Sequence, residues 1–405
     1  MTDDFRQVVM LFAIGAEGRN YDAGSNLNVD SIYKISVSQG IWQTVYMALQ
    51  KNYDVSKYER GVLSNVAMNV SRKEYIYETV ETLEKNGIDC CYLKGITVAR
   101  FYKFPECRIS GDTDILIDEK NIDNAGRILK NLGYDVEKNI GNMYHFEARH
   151  PVGGLLEVHI GLYQKHIDDM LFKNLLKFEE PCNELNIDGH MVHTLGVNDG
   201  LNHLTAHYIK HFISKGVGLR QLLDLLLYME NYRADIDWES YKSIWTEIGF
   251  FGLIEKLKGI GVKYLGRHFE TYDTENIDSI LSDIENGGVF GFDEIERSDF
   301  LNTFLAEREK TRLDEFEAYF NKQYSQKILW KIFPNKQYLI RGGYGYAKKG
   351  GVFLIIAYIH RLVRKVTRLF ERKKSEDLNR KFVHKDRINF MKKIGVLPDG
   401  ECKKS

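Results

Sequence analysis

Two carboxylates spaced two residues apart are the side chains in this sequence best suited to chemistry. Asp112 and Asp114 lie in RISGDTDILID (108–118), directly before an apolar run typical of a β-strand. Alternate residues of a strand point to the same face, so both carboxylates are expected to project together. Converging carboxylates suit Mg²⁺, which proteins hold through one or two acids and substrate phosphates. The alternative is a solvated strand end leading into a turn.

A third acid follows on a predicted β-hairpin over residues 143–160. Its two alternating runs flank a turn that contains one proline and two glycines. In the second run, apolar residues such as Leu156 share one face, while Glu157 and His159 share the other. Glu157 therefore suits a third metal carboxylate, and the alternative is a strand with one solvated face. His159 would orient that carboxylate or touch substrate, and His145 is a weaker candidate.

The elements around the aspartates form a compact unit. A short apolar run (90–93) stops at Lys94 and Gly95, and a helix-compatible segment (96–102) and a turn at Pro105 lead to the strand with the aspartates. Upstream, residues 31–86 have helical periodicity, and the following glycine suits a helix C-terminus. The order is therefore helix, strand, helix, strand.

This ordered set resembles the core of the DNA polymerase beta-type nucleotidyltransferase superfamily. It is most similar to an uncharacterised bacterial nucleotidyltransferase family whose pattern reads LKG, a tyrosine-containing helix and then R..GD.D.L. That family has Lys-Gly, as here at Lys94-Gly95, where the superfamily usually has Gly-Ser. The resemblance continues through 153–162, 203–225 and 333–366, and so covers most of the chain beyond about residue 40.

The resemblance implies transfer of a nucleoside monophosphate from an NTP to an acceptor hydroxyl or phosphate, with release of pyrophosphate. Asp112, Asp114 and Glu157 would be the catalytic and metal-binding acids, with Mg²⁺ or Mn²⁺ as the cofactor. The acceptor, a small molecule, a protein or an RNA, is left open. Nucleotide-binding residues implied by the same resemblance are Lys94, Gly95, Arg108, Ser110 and Gly111.

A row of histidines lies on a predicted helix after residue 201. His203, His207 and His211 are spaced four residues apart and so share one helix face. A metal site would need an acid or another ligand opposite them, so lining the cleft or packing in a bundle is favoured. The family resemblance favours cleft positions for His203 and His207, with Arg220 and Asp224 one turn apart on the next helix.

The predicted fold is α+β. A small mixed β-sheet nucleotidyltransferase core is flanked by an N-terminal helical segment and a C-terminal helical domain. The 405 residues are divided into an N-terminal segment (1–69), the core (70–190), a helical domain (191–340) and a basic amphipathic tail (341–405).

Composition indicates a globular cytoplasmic protein, with 43% hydrophobic and 28% charged residues. The five cysteines form no CxxC pattern, which favours a reducing compartment over a disulfide or zinc framework. The first four residues, MTDD, are acidic where a signal peptide would be basic. No apolar run approaches the ~20 residues of a membrane-spanning helix.

The tail has a different charge from the rest of the chain. Residues 341–405 contain 18 Lys or Arg against 6 Asp or Glu, whereas residues 1–340 contain 38 against 51. The expected basic stripe consists of Arg361, Arg364, Lys365, Arg368 and Arg372. The apolar face of the same helix would pack on the helical domain, while an anionic membrane surface or RNA remains a candidate partner for the stripe.

Two other functions stay open at this point. The order of motifs is also similar to that of nucleotidyltransferase toxins that modify tRNA, and the basic tail would suit such a substrate. The other alternative is a non-catalytic nucleotide-binding protein that keeps the fold without turnover, against which the three acids argue.

Overall fold

A computed structural model gives the fold of the protein. It describes residues 1–22, 27–137, 145–162, 171–173, 175–180, 182–289, 291–292 and 376–397, with isolated positions at 301–308 and 356–360. The chain divides into two compact units, Met1–Asp293 with Lys393–Val396, and Glu294–Lys392 with Leu397–Ser405. The predicted boundaries at residues 70 and 190 fall within the first unit and stay predictions.

The described strands of the first unit form one mixed sheet. They are β1 Cys91–Tyr92, β2 Asp112–Leu116, β3 Asp135–Glu137, β4 His145–His150, β5 Gly154–His159, β6 Asn183–Ile187 and β7 His190–Thr194. Their order is β3-β4-β5-β2-β1-β7-β6. The pairs β2–β5 and β1–β7 are parallel and the other neighbours antiparallel. The predicted α+β class with a small mixed sheet is confirmed.

Helices flank this sheet. The helices that precede the first strand in the sequence are α1 Asp3–Ala16, α2 Val29–Ser38, α3 Trp42–Leu49 and α4 Ser56–Lys85. Between its strands lie α5 Ile96–Ala99 and α6 Ile122–Asn131. After the last strand in the sequence come α7 Val197–Ser214, α8 Leu219–Asn231, α9 Trp238–Ile248, α10 Phe251–Tyr264 and α11 Ile277–Gly287. Helix α12, Glu376–Lys393, lies almost wholly in the second unit.

The sheet buries one face against α4 and α6. Alternation in β5 places Leu156 and Val158, both fully buried, in the same hydrophobic cluster as Ile115 of β2. Val80 of α4 and Leu129 of α6 contribute to the same cluster. The residues that alternate with these core residues along β2 and β5, including Asp114 and Glu157, therefore project from the opposite face of the sheet.

Local sequence signals explain most helix ends. Gly87, with φ +76°, follows the end of α4 as expected of a C-terminal glycine. Asp237 caps α9 by accepting a hydrogen bond from the Ser240 N–H at 3.0 Å. Helices α9 and α10 are separate, because Gly249 adopts the left-handed conformation at the end of α9. Helix α5 is shorter than predicted, and beyond it the Lys103 N–H donates to the Ala16 carbonyl at 2.8 Å.

Two glycines of α10 are expected to respond oppositely to alanine. A Cβ on Gly259 would lie 1.9 Å from the Asp273 carbonyl oxygen, whereas a Cβ on Gly252 meets no atom within 4 Å. Gly259→Ala should lower the free energy of unfolding by about 1–3 kcal/mol or more, through overpacking. Gly252→Ala should raise it by up to about 1 kcal/mol, because glycine disfavours helix. Urea unfolding of both variants tests this, and equal effects would contradict the close approach at Gly259.

Several expectations fall on other parts of the chain. The basic stripe (361–372) lies outside the described residues. Among the described residues, no helix is long and apolar enough to cross a membrane. The described cysteines are unpaired: Cys90, Cys91 and Cys107 are buried, and Cys182 is exposed.

Candidate active site

Three neighbouring strands carry the candidate site on the sheet face opposite α4 and α6. In the register of β2, β5 and β4, Asp114 lies beside Glu157, and Glu157 lies beside Glu147. Two residues from Glu157 along β5, on the same face, His159 lies beside His145 of β4. The strands therefore place carboxylates in one row and imidazoles in the next.

The structure brings two of the three predicted acids together. Ligand atoms of Asp114, Glu157 and His159 all lie within 4.8 Å of one another. His159 Nε2 is 3.1 Å from Asp114 Oδ1 and 3.6 Å from Glu157 Oε2. Asp112 is not in this group, although its position on β2 places it on the same face. Its Oδ1 lies 3.5 Å from the Ser110 hydroxyl.

Lys94 contacts the same carboxylate from the end of β1. Its Nζ is 3.1 Å from Asp114 Oδ1 and 3.3 Å from Nε2 of His207 on α7. The Lys94 side chain is 17% exposed and that of Asp114 is 1% exposed. Lys94 therefore joins the sheet acids to the histidine helix.

These contacts set the charges at the site. Burial alone would raise the pKa of Asp114, but the Lys94 ammonium and the His159 imidazole outweigh burial and lower that pKa. Burial likewise opposes protonation of His159, yet its hydrogen bonds to Asp114 and Glu157 raise its pKa. Burial, together with the charge of Lys94, lowers the pKa of His203 to about 3, so His203 is neutral at physiological pH.

One histidine of the row contacts the site through Lys94. His207 contacts Lys94, and the His203 ring lies 6.4 Å from that of His207. The His207 and His211 ring centroids are 4.4 Å apart. Within the described part of the chain, none of the three belongs to a group of potential metal ligands. His207 therefore reaches the acid site through Lys94, and the cleft positions of His203 and His207 stay a prediction.

Arg108 is placed differently from the expectation that it neutralises nucleotide phosphates. Its guanidinium makes a bidentate ion pair with Asp224, with Nε–Oδ1 at 3.0 Å and Nη2–Oδ2 at 2.6 Å. Both residues are buried, and the Tyr102 hydroxyl donates to the same carboxylate at 2.9 Å. Burial opposes the charge of Arg108, but Asp224 outweighs burial and raises its pKa. The Arg108–Asp224 pair thus ties the turn before β2 to α8.

A second arginine holds the same turn. Arg220 Nη1 donates to the Ile109 carbonyl, while Nη1 of Arg72, on α4, donates to the Ser110 carbonyl at 2.6 Å. Burial and the neighbouring Arg108 guanidinium lower the pKa of Arg220. Among the described residues, the N–H groups of Ser110 and Gly111 make no hydrogen bond.

The donor set suits a divalent cation. Two carboxylates and one imidazole converge from adjacent strands, and oxygen donors of this kind are those preferred by Mg²⁺ and Mn²⁺. His159 widens the choice toward metals that accept nitrogen. The residues present therefore fit the metal that the sequence led us to expect.

Sequence reasoning missed several residues near the site. Glu147 forms a second convergent group with His145 and Glu157, and the alternation of the first hairpin strand contained the signal for it. Tyr102 and Arg72 act through contacts with residues about 40 or more positions away, so no local pattern indicates them.

A mixed sheet with convergent acids on one face is the arrangement expected of an enzyme that transfers nucleotidyl groups. Residues 25–257 match the model of the family described as uncharacterised nucleotidyltransferase, and the chain belongs to this family. No curated protein matches the sequence.

Two solved structures show weak likeness to the chain. The antibiotic-resistance factor ANT(2'')-Ia is 14% identical, with a TM-score of 0.33, over 47% of this chain and 97% of that protein. An antigenic nucleotidyltransferase-like protein from Paracoccidioides brasiliensis is 16% identical, with a TM-score of 0.31, over 49% of this chain and 94% of its own.

Proposed function

We propose that the protein transfers a nucleoside monophosphate from an NTP to an acceptor, with Mg²⁺ or Mn²⁺ bound at the sheet acids. The proposal includes membership of the DNA polymerase beta-type nucleotidyltransferase superfamily. One observation carries it above all: Asp114 and Glu157 are lateral neighbours on parallel strands, and their carboxylates converge with His159.

Each acid has a role in this proposal. Asp114 and Glu157 would hold the metal, with Asp112 on the same face as a further ligand when substrate is present. A divalent ion in such a site neutralises phosphate charge and favours deprotonation of a hydroxyl. Glu157 would favour loss of the acceptor proton. The acceptor oxygen then bonds to the α-phosphorus, and the bond from that phosphorus to the departing pyrophosphate breaks.

The turns before α5 and β2 would receive the phosphates. Gly95 has φ +72°, a conformation that glycine adopts without strain. A Cβ on Gly111 would meet no atom within 4 Å, so the surface above that residue is open. Because Arg72 and Arg220 hold the carbonyls of the second turn, the N–H groups of Ser110 and Gly111 face the opposite way. Such N–H groups suit phosphate oxygens.

The test is label transfer from nucleotides. The protein is incubated with each α-labelled NTP and Mg²⁺ or Mn²⁺, with buffer, cell extract or purified tRNA as the source of acceptor. We expect α-label to become attached to an acceptor and γ-label to appear only in pyrophosphate. Transfer of γ-label would show a kinase and contradict the proposal, as would the absence of any transfer from all four NTPs with every acceptor source.

Asp112→Asn provides the matched variant. Because Asp112 would complete the metal site when substrate is present, we expect a loss of at least about 10–100-fold in transfer, the range found when even a group that supports a metal ligand is removed. Its fold should be retained, since removing one of several neighbouring acids relieves repulsion. Asp135→Asn, an exposed acid on β3 of the same sheet, is the control and should transfer like the wild type. Equal activity of both variants would remove Asp112 from the site.

A further inference from the structure

The end of β1 fixes Lys94 beside the acids. The Leu93 N–H donates to the Asp114 carbonyl at 3.2 Å, and Tyr92 is paired with Ile115 in the sheet. Directly after Lys94, Gly95 turns the chain away with φ +72°. The backbone of Lys94 is therefore anchored to the strand that carries Asp114, and its side chain has a short path to that carboxylate.

The contacts of Asp114 fall on one of its two oxygens. Oδ1 contacts both Lys94 Nζ and His159 Nε2, each at 3.1 Å. In the described part of the chain, no hydrogen bond to Oδ2 is present. A two-metal site places its ions about 3.5–4 Å apart and commonly shares a carboxylate between them. In this protein, Oδ1 of Asp114 already faces the ammonium group of Lys94.

The surrounding charges support the same interpretation. Arg108 pairs with Asp224, and the charges of Asp224 and Asp112 both act on Arg108 and Arg220, so the two arginines leave no positive charge in excess. Lys94 therefore supplies the positive charge that directly contacts Asp114. The contacts of Lys94 with Asp114 and His207 hold that charge in place.

Resting on the nucleotidyl transfer proposed above, we propose that Lys94 is a resident cation that takes the place of one of two divalent ions, so that the site binds a single metal ion. Lys94 then remains at Asp114 during binding, where its contact with His207 helps to hold it. An ammonium group offers charge without open coordination positions, so Lys94 would position the acids and neutralise phosphate while the bound ion contacts substrate.

The test is metal binding without catalysis. Free Mn²⁺ is followed by electron paramagnetic resonance while the full chain is titrated, alone and with inorganic triphosphate. We expect the wild type to bind one Mn²⁺ ion per chain in total, both alone and with triphosphate bound. Lys94→Met, which removes the charge, should bind Mn²⁺ at least about tenfold more tightly or take up a second ion, because like-charge repulsion is relieved. Lys94→Arg, which keeps the charge, should resemble the wild type.

Lys73→Met is the matched control, since Lys73 is 16% exposed and pairs with Asp188 at 2.6 Å, without any contact to the site acids. It should bind Mn²⁺ like the wild type. Two Mn²⁺ ions bound by the wild type would overturn the proposal whether or not Lys94→Met folds. Unchanged binding by a folded Lys94→Met would also overturn it. This experiment measures metal binding and not turnover. Its result is therefore independent of whether the label-transfer assay detects nucleotidyl transfer.

Discussion

Replacing Asp224 with asparagine should lower the free energy of unfolding by about 3–5 kcal/mol, because one partner of a buried ion pair is removed. The asparagine would keep the shape of the side chain and still accept the Tyr102 hydroxyl. It would leave Arg108 buried without a counter-charge, next to the guanidinium of Arg220. The bidentate geometry of the native pair, at 3.0 and 2.6 Å, makes this loss large.

Chemical denaturation of the wild type and variants at neutral pH measures the effect. Tyr102→Phe removes only one hydrogen bond to the same carboxylate and should cost less, about 1.5–3 kcal/mol. Asp3→Asn is the surface control, because its 3.9 Å pair with Arg6 is exposed and should change stability by less than about 1 kcal/mol. A loss at Asp224 no greater than that at Asp3 would show that water reaches the pair.

The chemistry-bearing strands could be predicted because their signals are local. Alternation alone indicated that Glu157 and His159 share a face, and that Leu156 lies in the core on the other face. The pairing of Glu157 with Asp114 followed from the expectation that the hairpin lies beside the aspartate strand. The register between these strands confirms that expectation.

The partners of the charged residues could not be predicted in the same way. Arg108 is separated from Asp224 by 116 positions, and Lys94 from His207 by 113. A guanidinium near a presumed phosphate site suits an ion pair and a phosphate contact equally well, so its sequence neighbourhood could not decide between them. The packing of α8 against the turn before β2 brings Asp224 to Arg108 and so determines that Arg108 forms the ion pair. That packing depends on the whole helical segment.

Replacing Asp114 with asparagine should have the largest effect on catalysis. A metal ion contributes several kcal/mol to transition-state stabilisation, and each 1.36 kcal/mol is a factor of ten in rate. A loss of about 4 kcal/mol therefore corresponds to about a thousandfold. Asp114 differs from Asp112 because its carboxylate is buried and contacts both Lys94 and His159, so Asp114→Asn should also lower stability by leaving Lys94 without its anion.

The double variant Asp114→Asn with Lys94→Met separates these two effects. Removing both charges should recover much of the lost stability, since neither charge is left uncompensated, while transfer of α-label stays at the level of Asp114→Asn. Asp118→Asn, an exposed acid four residues further along, should keep wild-type activity. Recovery of transfer in the double variant would show that Asp114 matters only as the partner of Lys94, and the metal would then have to be held by Asp112 and Glu157.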